Sequence, residues 1–511
     1  MTLWLLVAVP LFFGVLCLVL PASPLRMAAT VAGALAHLIV VSSSWAATQT
    51  PAAGDWVGLD PLGQLFLTFI SVLFAATSIY FVGYHRKRLV SQRVFLACIL
   101  GLLAALSLLC ISQHLGLLWV ALESASLAVT PLIYFRLGPR ALEATWKFLL
   151  MNSVGVALAL LGIFCVAIAT TGHDRTVVIT VTDLVRHAGD LDPIWLRVGF
   201  LLGLVGFGTK MGLSPLHSWK PDAYGEAPPP VAALMAGGMT LGAFAGILRL
   251  FQVCSAAGLG TFAGSWLIGF GLLSIATAAV FVVGNNDYRR LLAYTSVEHM
   301  GVLVVGVGLG AAGGYASMLH AMHNMLNKGA IFFLAGFIWR LYESNEIRDV
   351  RGTLIRCPPA GVLLLAALCA TCGLPPFGMF FSELGIVLAA AQTNRWWVLG
   401  LFVVTLAVVF VGVMTAMLPM VFGDPPTPYE PGAPATGLDD PSLALGARTK
   451  PAERWRRFTM LGAATALLGL GLGLGAYQPT AVRQALVRAA DSLYQPHVDA
   501  MALLTPVEDR P

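Results

Sequence analysis

Charge is the scarcest feature of this 511-residue sequence: Asp, Glu, Lys and Arg together make up 11% of it. A water-soluble globule carries roughly a quarter of its residues charged, so that class is excluded, although length alone suggests several soluble domains. Cysteine is sparse too, with eight residues scattered singly apart from Cys369 and Cys372. That pair sits at i, i+3 in the apolar run LLLAALCATCGLPP, where small residues let helices approach, and packing outweighs a redox motif. No cysteine run has the spacing that holds an iron–sulfur cluster, and no glycine-rich phosphate loop is present. No cofactor, metal or nucleic acid is therefore expected. No Lys or Arg precedes the first apolar stretch, whereas a signal peptide starts with positive charge; an uncleaved first span is expected.

What is abundant is apolar sequence, 58% of the residues, with a mean hydropathy of +0.82. Stretches long enough to cross about 30 Å of hydrocarbon fall near 3–20, 26–46, 62–83, 94–112, 115–135, 144–170, 196–216, 230–252, 264–284, 291–310, 314–341, 359–391, 396–422 and 458–477. These fourteen predict an all-α, polytopic membrane protein. With the first span starting outside, the inner loops hold 19 of the 30 Lys and Arg residues, Lys220 among them, and the outer face and tails hold eight. Cytoplasmic loops collect positive charge, so both termini are expected on the outer side. Residues 423–457, rich in Pro, Gly and Asp, read as a flexible cytoplasmic linker. The segment 480–494 reads as an amphipathic helix on the outer surface.

Six acids and bases nevertheless fall inside the spans: Glu123, Lys147, Lys210, Glu298, Lys328 and Glu383, accompanied by His299, His320 and His323. A charge near the bilayer centre costs about 2.5–3.5 kcal/mol even on the lenient insertion scale, so such groups pair, face water, or both. In series they are what a proton relay needs. Lys147 stands four residues after Glu143 and reads either as a relay group or as half of a helix-end ion pair. Glu298 and His299 follow Arg289 and Arg290 by two turns and fit the interface as well as the interior. Lys210, Lys328 and Glu383 lie deeper, with no local partner.

Two spans are interrupted, one by Gly212 and Pro215 and the other by Gly373, Pro375 and Pro376. Broken helices free main-chain carbonyls and make polar sites near the midplane, and matching breaks in two halves point to inverted repeats. The resulting division is spans 1–3 in 1–90, a first five-span repeat in 91–255, a second in 256–422, the linker, and a last span with its tail in 458–511. Five spans per half is an odd number, so the halves are inverted.

The segments LGLLWVALESASL (115–127), TKMGLSPLHSWKPDAYGEAPPPV (209–231), DYRRLLAYTSVEHMG (287–301) and GLPPFGMFFSEL (373–384) resemble the antiporter-like subunits of complex I and of membrane-bound hydrogenases. WVALE, the pair in EATWKF (143–148) and SVEHMG are most similar to the hydrogenase-4 component F branch. The resemblance implies a proton-translocating subunit in the bacterial inner membrane. It would be embedded in lipid beside other membrane subunits and a peripheral redox arm, with H⁺ or alternatively Na⁺ as the ion. A non-conducting scaffold is the rival reading. By resemblance, Glu123 tunes Lys210, Lys328 is the central lysine and Glu383 ends the second half-path. Two features depart from the family: span 8 offers only Thr240 where relatives carry Lys or His, and span 11 has His320, Asn324 and Lys328 with His323 displaced. At about 100° per residue, Asn324 falls near the face of Lys328, and it is expected to hold a water between His320 and Lys328.

Overall fold

The computed structural model describes residues 2–46, 51–84, 92–171, 178–425 and 451–494. Its helices are α1 (Thr2–Val19), α2 (Ser23–Ser44), α3 (Pro61–Tyr84), α4 (Gln92–Ile111), α5 (Leu115–Ile133), α6 (Pro139–Ala169), the short α7 (Val181–Arg186) and α8 (Pro193–Met211). They continue with α9 (Trp219–Glu226), α10 (Pro229–Leu234), α11 (Thr240–Ala256), α12 (Gly260–Val282), α13 (Tyr288–Gly308), α14 (Ala311–Tyr342) and the single-turn α15 (Thr353–Arg356). The last are α16 (Pro358–Thr371), α17 (Gly378–Gln392), α18 (Trp396–Phe422), α19 (Pro451–Ala476) and α20 (Thr480–Asp491). Apolar surroundings leave the main chain no partner but itself, and helices satisfy it locally. Their starts are written in sequence. Proline opens α6, α8 and α16, where its missing N–H costs nothing. Asp192 accepts from the N–H groups of Ile194 and Trp195, and Asp287 from those of Arg289 and Arg290.

Eleven helices among the described residues are long and apolar enough to cross a membrane. The three remaining spans of the fourteen are the short α1, the α14 helix with its many polar residues, and span 12, which its break divides into α16 and α17. Span 8 is not one uniform helix: a π-helical segment, Met235–Met239, joins α10 to α11. Span 14 starts at Pro451, earlier than the hydropathy suggests, because α19 opens on the basic turn carrying Arg454, Arg456 and Arg457. The rest of the linker, 426–450, lies outside the described residues.

The bundle is built around α13 and α14, whose side chains are nearly all buried. Two helix pairs come unusually close, α6 with α8 and α12 with α13, and glycine makes both approaches possible. A Cβ at Gly162 would lie 2.7 Å from the Gly203 nitrogen, and one at Gly271 would lie 2.7 Å from the Gly301 oxygen. Small residues at such crossings gain packing where lipid supplies no hydrophobic drive. The last span, α19, returns to pack between α3 and α14. The amphipathic α20 buries Ala485, Leu486, Ala489 and Ala490 against α3 and α14. Just past its end, Tyr494 donates to the Val307 carbonyl (2.8 Å). It therefore caps the end of the bundle where α13 finishes.

Candidate functional site

The first cluster lies where α8 meets α5. Lys210 is 1% exposed; its Nζ donates to Glu123 Oε2 (2.6 Å) and to Ser126 Oγ (2.5 Å). Ser126 follows Glu123 by three residues, so both face α8 from one side of α5. The buried ammonium has a carboxylate, as a charge in such a place requires. Two residues later the helix ends: Gly212 takes φ +84°, a left-handed conformation that favours glycine. The chain then runs without regular helix to α9, and the peptide before Pro215 is cis. Across this break Trp219 Nε1 donates to the Thr209 carbonyl (2.9 Å) and Ser214 N–H to Ser274 Oγ (2.9 Å).

Lys220, which the sequence placed in an inner loop, is fully buried inside the break. Its Nζ donates to the carbonyls of Met211 (2.8 Å) and Ser296 (3.4 Å). A Cβ at Gly212 would stand 2.6 Å from Lys220 Cδ, so glycine there also makes room for this lysine. Spacing gave no sign of it, because a lysine before Pro-Asp reads as a loop residue. The signal available was its position, five residues after Pro215 within an interrupted span.

The second cluster is centred on Lys328, which is fully buried on α14. Its Nζ donates to Thr295 Oγ1 on α13 (2.5 Å). Glu298, one turn further along α13, is also buried and interacts electrostatically with Lys328. Glu298 and His299 are both buried in the bundle, midway along α13. Between α13 and the second break is a cavity of about 20 Å³, lined among others by Thr295, Glu298, Thr371, Cys372 and Glu383. A polar space of that size has room for one water molecule.

The third cluster joins α13, α14 and α17. Ser382 donates to the Met379 carbonyl (2.7 Å), so its oxygen is left to accept from His320 Nδ1 (2.9 Å). His320 Nε2 then carries the lone pair and accepts from His299 Nδ1 (3.3 Å). By the same logic His299 Nε2 is an unprotonated acceptor, and it is buried without a partner. These tautomers follow from the hydrogen-bond network. Glu383 is part-exposed and packs against the second break, where Gly373 has φ +60° and a Cβ there would collide with the carboxylate. The peptide between Pro375 and Pro376 is cis. The ligand atoms of His299, His320 and Glu383 lie within 4.8 Å of one another. Such a group could hold a metal ion or exchange a proton.

Three residues of span 11 and span 6 stand apart. Both ring nitrogens of His320 are engaged, so Asn324 does not link it to Lys328; the Asn324 amide is buried with neither atom bonded. His323 points away, toward Gly378. Lys147 joins a half-exposed network instead of the buried series. Its Nζ lies 2.7 Å from Glu143 and 2.8 Å from Asp222, and Asp222 also pairs with Arg290 (2.7 Å). The hydroxyl partners Ser126, Thr295 and Ser382 were not foreseen, although each stands within three residues of an acid, Glu123, Glu298 and Glu383 respectively.

The family described as NADH:quinone oxidoreductase/Mrp antiporter, transmembrane, matches residues 112–409, a range that contains all three clusters. A hydrogenase-4 component F homolog from Methylacidiphilum infernorum is 31% identical over 424 residues, covering 81% of this chain and 89% of the relative. NADH-quinone oxidoreductase subunit N from Desulforudis audaxviator is 31% identical over 398 residues, covering 75% and 77%. Among solved structures, a chain of the Mrp complex from Dietzia sp. DQ12-45-1b superposes with a TM-score of 0.80 at 22% identity, covering 98% of this chain and 99% of that one.

Proposed function

From the premise that this chain belongs to the NADH:quinone oxidoreductase/Mrp antiporter transmembrane family, we propose that it conducts protons along the buried series from Glu123 to Glu383. It is an antiporter-like membrane subunit of the complex I and membrane-bound hydrogenase type. The observation that carries the proposal is the order of the groups. Glu123 and Lys210 stand at the first break, Lys328, Thr295 and Glu298 at the centre, and His299, His320, Ser382 and Glu383 at the second break. Each acid, amine and imidazole in that order can bind and release a proton. The two breaks fall in the fourth span of each five-span set, which supports dividing the chain into inverted repeats at 91–255 and 256–422.

The chemistry of the nodes favours H⁺ over Na⁺. A hard cation needs oxygen ligands, whereas Lys210, Lys328, His299 and His320 present ammonium and imidazole nitrogen. Moving one charge against 100 mV costs about 2.3 kcal/mol. We assign that work to partners in the same membrane complex and to a peripheral redox arm, with the chain in the bacterial inner membrane and both termini outside. Glu383→Gln keeps size and hydrogen bonding but cannot ionise. It should leave the assembled complex intact and cut proton uptake by energised vesicles at least tenfold, measured per electron transferred. Wild-type uptake at equal assembly would support the scaffold reading instead.

A further inference from the structure

The two half-paths need a connection, and span 8 does not supply one: α10 and α11 offer Thr240, whose hydroxyl is committed to the Ala236 carbonyl (2.6 Å). We propose that Lys220 is the proton relay joining the first half-path to the second. The inference rests on the proton-conducting reading above.

Its position makes the case. Lys220 is fully buried, and both of its hydrogen-bond acceptors are main-chain carbonyls, one from each half of the molecule. The first, that of Met211, directly follows Lys210 in the chain. The second, that of Ser296, directly follows Thr295, the residue that holds Lys328 Nζ. Lys220 and Lys328 interact electrostatically, and His299 is influenced by both. The side chain thus reaches from the main chain just after Lys210 to the main chain just after Thr295, beside the central cluster.

A purely structural tie would be an expensive choice here. A buried ammonium without a carboxylate gains little from two carbonyls against its lost hydration, and an apolar residue with a shifted helix end would fill the space. A buried lysine, however, shifts its protonation equilibrium readily. As an amine, Lys220 Nζ accepts a proton released on the Lys210 side, forming a fourth bond at nitrogen. As an ammonium it places a second positive charge beside Lys328. Like charges in a dry site disfavour one another, so the Lys328 proton is driven on toward Glu298 and the cavity beside Glu383. The Lys328 amine left behind then takes the proton from Lys220, which returns to the neutral amine and resets the relay. No oxidant or other reactant enters.

The test uses the complete complex in inverted membrane vesicles, energised with its own electron donor. Lys220→Met preserves volume and removes the charge; Lys220→Gln keeps an amide that can donate to a carbonyl but cannot change protonation. Both are expected to assemble, keep electron transfer in the presence of an uncoupler, and pump at least tenfold fewer protons per electron. Should the Met variant fail to assemble, the Gln variant decides alone. Wild-type stoichiometry in either assembled variant overturns the inference. Lys210→Met in the same vesicles separates the two levels. If it abolishes pumping while Lys220→Met or Lys220→Gln pumps normally, the relay assignment fails and the conducting reading stands. If neither position matters, the conducting reading itself fails.

Discussion

At the scale of single residues, the structure distinguishes groups that must change protonation from groups that need only be polar. Lys210 is held by Glu123 and Ser126 and has space for a lysine. Lys210→Arg keeps the positive charge, but guanidinium does not deprotonate in proteins. Pumping by that variant is expected to fall as far as in Lys210→Ala, by tenfold or more at equal assembly; near-normal pumping by Arg would show that a fixed charge suffices. The histidines of span 11 make a sharper contrast. His320 is bonded on both nitrogens within the Ser382–His299 chain, while His323 Nε2 has no partner. His320→Ala should therefore reduce proton uptake several-fold more than His323→Ala, and vesicle uptake at matched expression reads the order directly. Lys210 and Glu383 were legible in the sequence because an isolated charge inside an apolar run stands out. Lys220 and the His299–His320 contact were not. One needed the break to fold over it, and the other needed α13 and α14 to come together, which helical spacing on either one alone does not reveal.

At the scale of elements, the breaks were easier to find than their purpose. Gly-x-x-Pro after Lys210 and Gly-x-Pro-Pro before Glu383 announce interrupted helices. The sequence does not reveal that each glycine also clears space for a neighbouring ionisable side chain, Lys220 at Gly212 and Glu383 at Gly373. Gly212→Ala consequently carries two penalties. The left-handed backbone costs a Cβ-bearing residue about 1–2 kcal/mol, and Lys220 must shift away from a methyl that would otherwise stand 2.6 Å from its Cδ. The expected result is a melting temperature lowered by a few degrees in detergent, together with a pumping ratio reduced well beyond what the stability loss explains. A drop in stability with full pumping per assembled complex would show that the position of Lys220 is unimportant. The π-helical turn in span 8 had no sequence signature at all: its glycines, Gly237 and Gly238, read equally well as ordinary small-residue packing.

At the scale of the whole molecule, the all-helical, many-spanning fold was legible because long apolar stretches recur along the sequence, and a helix was expected even at α14, where polar residues interrupt the apolar run. Two of its polar residues, His320 and Lys328, belong to the proposed proton series. Since that series is built on nitrogen bases and carboxyls, pumping should proceed at the same rate in sodium-free choline buffer as in sodium buffer, followed by a pH-sensitive dye; a requirement for Na⁺ would favour the cation-antiporter alternative. The row Ser382–His320–His299 adds a consequence for the cycle. Every proton in it points the same way, toward the Met379 carbonyl, and the empty acceptor is His299 Nε2. When a proton lands there, His299 can hand its Nδ1 proton to His320, and the movement ends at that ring, because the Ser382 hydroxyl beyond it rests on a main-chain carbonyl that takes no proton. The row is a cul-de-sac that stores one positive charge. Onward passage to Glu383, which lies within 4.8 Å of both rings, must branch off the row and cannot run along it.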